Sequence, residues 1–389
     1  MSITSVQEPA WLQEARTRAR RTFETSELPY WDRTEIRPFD PARFAPAAAP
    51  SYDLPSLPAA AARKGGILCD LATAAAEHGD LLRKHLGSLL PAERGRFEAL
   101  HLASLRGGVF VYVPDGVEIE EPLTIGLHVA TEGALCAPHV LVVLGEAASV
   151  SLVHRGDGGR GCMLLPSVEA EVGDAARLRF VDVQSFATDA VNYTARRGRL
   201  GRDSSLEWVL GDMGSRVVRA STESVLAGTG GQSRSLLVFF GSGNQHFDLA
   251  LTMSHTGART DANMLTKGVL KDRARSVYRG TSDIEAGSKN CNSQQSAKTL
   301  HLGGEVRSDS IPALFIDEYE LSAGHAATVG KVDEEQLFYM KSRGLPEVEA
   351  LRLIVEGFLN PLIERIPIAA VRQDLAALID SKLAGGDQE

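Results

Sequence analysis

Alternating hydrophobic and polar residues fill the middle of the chain, from Gly107 to about Tyr319. Residues 149–153 (SVSLV) and 177–181 (RLRFV) show the pattern, in which every second side chain is apolar. Successive side chains of a strand point to opposite faces, so this alternation predicts short strands that bury one face. Glycine next to a small or polar residue separates the runs and predicts turns.

The turns share a spacing near 28 residues, which falls to about half that value after residue 257. They begin at Gly145, Gly173, Gly201, Gly230, Gly257, Lys271, Gly287 and Gly303. A repeat with one apolar face must stack on its neighbours to bury that face. The repeat therefore predicts a β-solenoid such as a parallel β-helix. Antiparallel sandwiches also have frequent turns, so periodicity alone leaves a sandwich as the alternative.

Helical patterns flank the strand region on both sides. Residues 11–23 carry an apolar residue at every fourth position, and helical spacing returns over residues 67–105. Residues 38–60 are rich in Pro, Ala and Ser, which predicts a mobile linker between these helices.

The C-terminal segment predicts three more helices. The spacing becomes helical at Val332, where Asp333 is expected to cap the first helix and Gly344 to end it. Pro361 is expected to kink or end the second helix. The predicted regions are a helical region at 1–105 with a flexible linker at about 38–60, a β-helix core at 106–320 and a C-terminal helical domain at 321–389.

Composition narrows the possible partners. The net charge of −9 argues against a nucleic-acid partner, because phosphate binding requires a concentrated positive face. No run of about 18 apolar residues predicts a membrane span, and the N-terminus has no apolar signal core. We therefore expect a cytoplasmic protein.

The sequence offers few self-contained chemical motifs. It has no G-x-x-x-x-G-K-[ST] nucleotide loop and no G-x-S-x-G nucleophile elbow. The four cysteines, Cys69, Cys136, Cys162 and Cys291, are far apart and form no C-x-x-C pair. We expect neither a disulfide framework nor a metal site built by this chain alone.

Several segments together resemble one family. They are 107–117 (GGVFVYVPDGV), 243–248 (GNQHFD), 255–257 (HTG), 267–270 (KGVL), 324–330 (GHAATVG) and 333–344 (DEEQLFYMKSRG). In residue type and order they resemble the SufB/SufD family, the non-ATPase subunits of the bacterial iron–sulfur cluster assembly (SUF) scaffold, and favour its SufD branch. The resemblance nearly spans the chain. It implies a mainly β fold, a right-handed parallel β-helix flanked by N-terminal and C-terminal α-helical regions.

The resemblance assigns a metal-ligand role to His325. In SufD-like chains the matching segment carries a proposed cluster-assembly histidine at the interface with SufB. The alternative is a purely structural role, in which His325 is hydrogen-bonded at a domain junction. SufB-like subunits have an assembly cysteine where this chain has Ala297, and an acidic residue where it has Ala326. A single imidazole cannot hold a cluster, so the chain should bind no cofactor stably and could share a transient iron–sulfur cluster only with a partner. Cys291 is expected to be a small buried hydrophobe.

The resemblance also implies partners. They are a SufB-like subunit, which forms a heterodimer with the chain, and a SufC-like ABC ATPase; a homodimer is expected when the chain is alone. The ATPase would dock on the C-terminal helices, with Phe338, Tyr339, Met340, Phe358 and Leu359 as candidate contacts, although an apolar stripe at helical spacing is more often core. The chain itself would be a scaffold and not an enzyme.

Two other functions remain open from the sequence. A β-helix polysaccharide lyase or hydrolase would need carboxylates gathered in one groove, and a structural solenoid adaptor would not need His325. His246 and His255 could converge across a turn, although polar residues that close turns are the simpler interpretation.

Overall fold

The computed structural model describes residues 8–385, which are mainly β, with 44% strand and 25% helix. The strands are β1 (Ser51–Asp53), β2 (Ile67–Asp70), β3 (Gly107–Val113), β4 (Glu118–Val129), β5 (Leu135–Cys136), β6 (Pro138–Leu144), β7 (Ser149–Gly158), β8 (Met163–Leu164), β9 (Ser167–Val172), β10 (Arg177–Phe186), β11 (Val191–Leu200), β12 (Ser205–Asp212), β13 (Val217–Leu226), β14 (Gln232–Gly241), β15 (His246–His255), β16 (Asp261–Leu270), β17 (Arg275–Ile284), β18 (Cys291–His301), β19 (Arg307–Ile316) and β20 (Leu321–Lys331).

Helices lie before and after these strands. The α-helices are α1 (Ala10–Thr25), α2 (Ala59–Arg63), α3 (Leu71–Glu77), α4 (Gly79–His85), α5 (Arg96–Ser104), α6 (Glu334–Ser342), α7 (Glu347–Ile363) and α8 (Ala369–Leu383). Short 3₁₀ helices span Arg37–Phe39, Pro41–Arg43 and Ala92–Arg94.

Two long sheets form a parallel β-solenoid of about eight turns. The first sheet has the order β1-β4-β7-β10-β12-β14-β16-β18-β20, and the second runs β2-β3-β6-β9-β11-β13-β15-β17-β19. Because consecutive long strands alternate between the sheets, each turn of the chain adds one parallel strand to each. This confirms the predicted solenoid and excludes the antiparallel sandwich.

The strand register explains the sequence repeat. Arg177 in β10 lies opposite Ser149 in β7 on one side and opposite Ser205 in β12 on the other. The predicted 28-residue unit is therefore one full turn of the solenoid. The half-spacing near the end of the repeat reflects the two corners in each turn, since both are marked by polar residues there.

One column of corners is hydrogen-bonded from turn to turn. The backbone N–H groups of Ala147, Ala175 and Asp203 donate to the carbonyls one turn further on, at 2.7–2.9 Å. These three residues have φ between 52° and 56°, in the left-handed region that side chains disfavour. The ladder gives each of their amides a hydrogen-bond acceptor, and this offsets the strain.

Apolar side chains fill the space between the sheets. Phe180, Trp208, Phe239 and Phe247 are among the largest side chains that are fully buried there. Such side chains alternate with outward ones along each strand, as the sequence pattern requires.

The outer faces of the two sheets are covered by different helices. Over the second sheet, Trp31 and Phe97 pack with their ring centroids 5.1 Å apart, beside Tyr193 of β11. Over the first sheet, α7 and α8 pack on strand residues such as Val209 and Phe240. The C-terminal helices thus lie on the solenoid and form a second hydrophobic cluster with the outer face of its first sheet.

Two predicted boundaries differ from the structure. Residues 321–331 form the last strand of the first sheet, so the solenoid extends beyond the expected boundary at residue 320, and the helices begin at Glu334, close to the expected start at Val332. Within the expected mobile linker, Ser51–Asp53 pairs antiparallel with β4, and the amide of Ala45 donates to the carbonyl of Gly133 at 2.8 Å. This segment is therefore bound to the solenoid, because it covers the edge of β4.

Candidate functional site at the open end of the solenoid

The last strand of each sheet has an uncovered edge. Among residues 8–385, no strand pairs with the outer edge of β19 or of β20. We call this pair of edges the open end. Apolar side chains are exposed on it or beside it: Phe315 is 61% exposed and Tyr319 99%. Unpaired backbone groups next to exposed apolar side chains can accept another chain by strand addition.

His325 lies on β20 at this open end. It is paired in register with Gln295 of β18, and its side chain is exposed. His325 is in the middle of the last strand, which directly precedes the C-terminal helices. An imidazole there is accessible to a partner that covers the edge.

The solenoid interior contains polar groups close to the open end. The side-chain amide of Gln295 donates to Ser282 Oγ at 2.9 Å and to the carbonyl oxygen of Ala313 at 3.1 Å. Ser282 Oγ is 2.7 Å from Ser293 Oγ. Burial raises the pKa of nearby Tyr278 to about 12, so this phenol stays neutral. Buried hydrogen-bonding groups therefore occur in the last turns, as they do in the middle turns, where Arg196 of β11 pairs with Asp182 of β10 at 2.6 Å.

The open end does not supply a complete metal site. No group of three or more His, Cys, Asp or Glu side chains in the described part of the chain is arranged to hold a metal ion. Ala297 is buried on β18, opposite Ala327. Cys291 is buried, and its thiol donates to the carbonyl oxygen of Ser288 at 2.9 Å. Thiol ligands near His325 would have to come from another chain.

The two other candidate histidines do not converge. His246 begins β15 and His255 ends it, so the length of the strand separates them. His246 Nε2 lies 2.9 Å from Thr34 Oγ1, and His255 Nδ1 lies 2.7 Å from Thr260 Oγ1. Burial lowers the pKa of His255 to about 4. Both side chains serve packing and hydrogen bonding within the fold.

The candidate ATPase contacts fall into two groups. Phe338 and Tyr339 are exposed on α6, and Met340 is half-buried beside them. Phe358 is half-buried on α7, where Lys267 Nζ lies 5.1 Å from its ring centroid. Leu359 is fully buried against the first sheet and is not available to a partner. The predicted apolar stripe on α7 is thus mainly core, because it faces the sheet.

Lysines from the solenoid fix the C-terminal helices in place. Lys267 Nζ donates to the carbonyl oxygen of Phe358 at 2.5 Å. Lys271 Nζ donates to the carbonyl oxygens of Lys382 and Leu383 at 3.1 Å, at the end of α8. A positive charge there complements the helix dipole.

A strap of N-terminal residues reaches the open end, which the sequence did not predict. Thr34 donates to Asp248 Oδ2 at 2.5 Å, and Arg33 pairs with Asp309 of β19 at 2.5 Å. Asp248 is fully buried and also bonded to Arg279. The only local signal is a short polar run, Asp32 to Glu35, after Trp31, and its target lies far along the chain.

No helix in the part of the chain that the structure describes is long and apolar enough to cross a membrane.

Comparisons with known proteins point to one family. Residues 127–358 match the family described as SUF system FeS cluster assembly, SufBD core domain, and residues 50–125 match the SufBD protein N-terminal region. The iron–sulfur cluster assembly protein SufD of Bacillus subtilis is 32% identical, and the match covers 97% of this chain and 95% of that protein.

SufBD family proteins of two staphylococci are also similar. The Staphylococcus epidermidis protein is 32% identical and that of Staphylococcus aureus 31% identical; each match covers 78% of this chain and 66% of the relative. The core-domain match includes the strands of the open end, and the similarity to SufD extends over nearly the full length of both chains. The chain therefore belongs to the SufBD family of the SUF iron–sulfur cluster assembly system, and it is SufD-like.

Proposed function

We propose that this chain is a non-catalytic scaffold subunit of the SUF complex and pairs through its open end with a SufB-like subunit. The uncovered edges of β19 and β20 are the observation that carries the proposal. Strand addition across both edges would continue the two sheets into the partner and cover Phe315 and Tyr319. When the partner is absent, a second copy of this chain can occupy the same edges and give a homodimer.

In this proposal His325 contributes to the handling of the cluster at the joined edges. Its exposed imidazole on β20 can donate one nitrogen ligand. The nascent cluster is cargo that passes through the interface, and its thiolate ligands come from the SufB-like partner. These reactions belong in the cytoplasm, where cellular thiols are kept reduced.

The exposed surface of α6 is the proposed docking site for a SufC-like ATPase. Phe338 and Tyr339 provide the apolar contacts, and Met340 supports them. Phe358 and Leu359 act indirectly, since they hold α7 on the solenoid. Aromatic side chains that are exposed in the free chain and become buried on binding are typical anchors of such interfaces.

A direct covalent link connects the two proposed surfaces. Only Val332 and Asp333 lie between β20, which carries His325, and α6. Asp333 caps α6 by accepting hydrogen bonds from the amides of Glu335 and Gln336, so the junction is short and ordered. Movement of α6 by a docked ATPase would therefore pull on the edge strand. This gives ATP hydrolysis in a partner a route to the cluster site.

Co-expression with SufB-like and SufC-like subunits tests the proposal. The complex is captured through the ATPase, and cluster formation is followed anaerobically by absorption spectroscopy. His325→Ala should leave the complex assembled but reduce the rate of cluster formation at least tenfold. His128→Ala, at the opposite end of the solenoid, is the matched control and should form cluster at the normal rate. Normal cluster formation with His325→Ala would favour the purely structural adaptor, and failure of capture would remove the scaffold proposal.

A further inference from the structure

Two cysteines that are distant in sequence are neighbours inside the solenoid. Cys136 ends β5, Cys162 immediately precedes β8, and these two short strands pair in parallel on adjacent turns. Both side chains are fully buried in one apolar cluster, together with Leu127, Leu164 and Phe186. Cys162 lies two residues before Leu164, the residue opposite Cys136, so the two cysteines are diagonal neighbours on adjacent turns.

Cys162 is fully buried beneath two surface turns. Its thiol lies 3.0 Å from the carbonyl oxygen of Thr131, whose side chain is exposed. The cover consists of two adjacent turns, 130–133 and 158–161, joined by a hydrogen bond of 2.9 Å from the Gly133 amide to the Arg160 carbonyl. The second turn contains three glycines with positive φ and therefore little side-chain packing. A local opening of these turns would expose the thiol without unfolding the sheets.

The two thiols differ in acidity. A hydrogen bond from the Cys136 thiol, helped by the backbone amides of Ala134 and Gly133, lowers the pKa of Cys162 to about 7. The same hydrogen bond and burial raise the pKa of Cys136. Cys69 and Cys291 both have raised pKa values, mainly because of burial, and that of Cys69 is about 11. Cys162 is therefore the strongest candidate nucleophile of the four, since thiolates are the reactive form.

We propose that Cys136 and Cys162 form an oxidisable dithiol, which glutathione disulfide converts into an internal disulfide in the folded chain. The Cys162 thiolate attacks one sulfur of glutathione disulfide, the S–S bond breaks, and one glutathione leaves as its thiolate. Cys136 then loses its proton and attacks the Cys162 sulfur of the mixed disulfide, and the second glutathione leaves. The chain gives up two electrons and two protons, and glutathione disulfide becomes two glutathione thiols.

This chemistry is independent of the open end and of His325. The dithiol lies at a corner of early turns, where β5 and β8 meet, and the bond would join neighbouring turns beneath residues 130–133 and 158–161. The redox state of this dithiol would thus follow that of the cellular thiol pool. The effect is reversible, because excess glutathione reverses both exchange steps.

Peptide mapping of the native chain tests the proposal. The protein is incubated with glutathione disulfide, quenched with acid, unfolded, alkylated and digested with trypsin. Cleavage after Arg106, Arg155, Arg160 and Arg177 puts Cys136 in the peptide 107–155 and Cys162 in 161–177. We expect these two peptides to be disulfide-linked, with the loss of two of the four free thiols and alkylated Cys69 and Cys291. Recovery of both peptides with free thiols, or preferential reaction at Cys69 or Cys291, overturns the proposal.

Three variants assign the roles, with circular dichroism to confirm that each is folded. Cys136→Ser should retain one glutathione on Cys162, because the resolving thiol is absent. Cys162→Ser should leave Cys136 free. Cys291→Ser is the matched control for a buried cysteine and should form the same linked peptides as the wild type. Glutathione on Cys136 in the Cys162→Ser variant would reverse the assignment of nucleophile, and the wild-type map decides the proposal if a variant does not fold.

Discussion

The two ends of the solenoid are built differently. At the N-terminal end, β2 pairs antiparallel with β3 and β1 pairs antiparallel with β4, so both sheets finish with a strand that reverses direction. Ala61 of α2 packs onto the first turn and is 3% exposed. At the C-terminal end, no described strand covers the outer edges of β19 and β20. The described part of the chain thus covers one end of its core and leaves the other uncovered.

This difference shows how one chain controls the direction in which its sheets can grow. An exposed parallel edge is a liability, and proteins usually cover or charge it. Here the covering strands are antiparallel, so they end the parallel stack and do not extend it. The uncovered end carries exposed Phe315, Tyr319 and Val329, as the proposed pairing with a SufB-like subunit requires.

The largest expected effect is a difference in unfolding free energy between substitutions at the two ends of the solenoid. Ala61→Glu should lower the free energy of unfolding by about 3–5 kcal/mol, because it buries an unpaired carboxylate at the closed end. Val329→Glu is the matched change at the open end and should cost less than about 0.5 kcal/mol, because the residue is exposed. Urea unfolding followed by circular dichroism measures both. Equal losses would mean that the open end is covered in the free chain.

A second test distinguishes the two groups of residues in the helices that follow the open end. Leu359→Ala should cost about 3 kcal/mol of unfolding free energy, because it creates a cavity between α7 and the first sheet. Phe338→Ala on α6 should change stability by less than about 0.5 kcal/mol, since the ring is 73% exposed, but should weaken binding to the ATPase. Thermal unfolding and a pull-down with the ATPase give the two readouts. Strong destabilisation by Phe338→Ala would contradict a docking role.

Acid should destabilise the fold through its buried histidines, of which His101 is the strongest case. His101 Nε2 lies 3.0 Å from His139 Nδ1, and burial lowers the pKa of His101 to about 3. The unfolded chain therefore binds more protons than the folded chain between pH 6.5 and 3, so stability falls as the pH drops below 6.5. His101 should account for about 2 kcal/mol of the loss from pH 7 to pH 5, and buried His255, whose pKa is about 4, for a similar amount; urea unfolding at each pH measures the sum.

Two variants check this sign. His101→Gln should flatten the loss, because it removes the buried group. His128→Asn should steepen it, since hydrogen bonds to Asp157 and Asp53 raise the pKa of His128 and stabilise the fold in acid. That stabilisation is fully present below the unfolded pKa and disappears as the pH rises through the folded pKa. Identical acid profiles for both variants would contradict these assignments.

The smallest effect concerns association at the open end. Phe315→Asp should weaken the complex with the SufB-like subunit about tenfold, or about 1.4 kcal/mol, because it places a charge in the joined apolar surface. Isothermal titration calorimetry measures the change. Glu132→Ala, an exposed residue near the opposite end, is the control and should bind normally. Unchanged affinity for Phe315→Asp would place the interface elsewhere.

The solenoid could be predicted because its repeat is local in the sequence. Alternation in β7 and β10 marks the buried face, and turn residues at a constant spacing mark each circuit. The closed end could not be predicted this way. Residues 51–53 have the composition of a linker, and they form a strand only because the edge of β4 lies beside them in the fold.

The candidate sites show the same limit. Phe338 and Leu359 both follow helical spacing, but only the strands beneath α7 decide that Leu359 is buried. His325 was found through its segment, although its place on an edge strand depends on where the stack ends. The Cys136 and Cys162 pair was missed because the residues were judged by their distance in sequence. Their separation is close to one repeat, and in a solenoid this brings residues together.

Because β7, β10 and β12 are paired in register, the solenoid can become longer only by whole turns. Ser149, Arg177 and Ser205 occupy the same position in successive turns. A second copy of residues 177–204 would therefore add one turn, which lengthens the solenoid by about 4.8 Å. The terminal surface and α6 would then move outward together, unchanged. One extra residue within a strand would instead turn every later side chain to the wrong face. Relatives of different length are therefore expected to differ by whole turns of the solenoid or by loops at its corners.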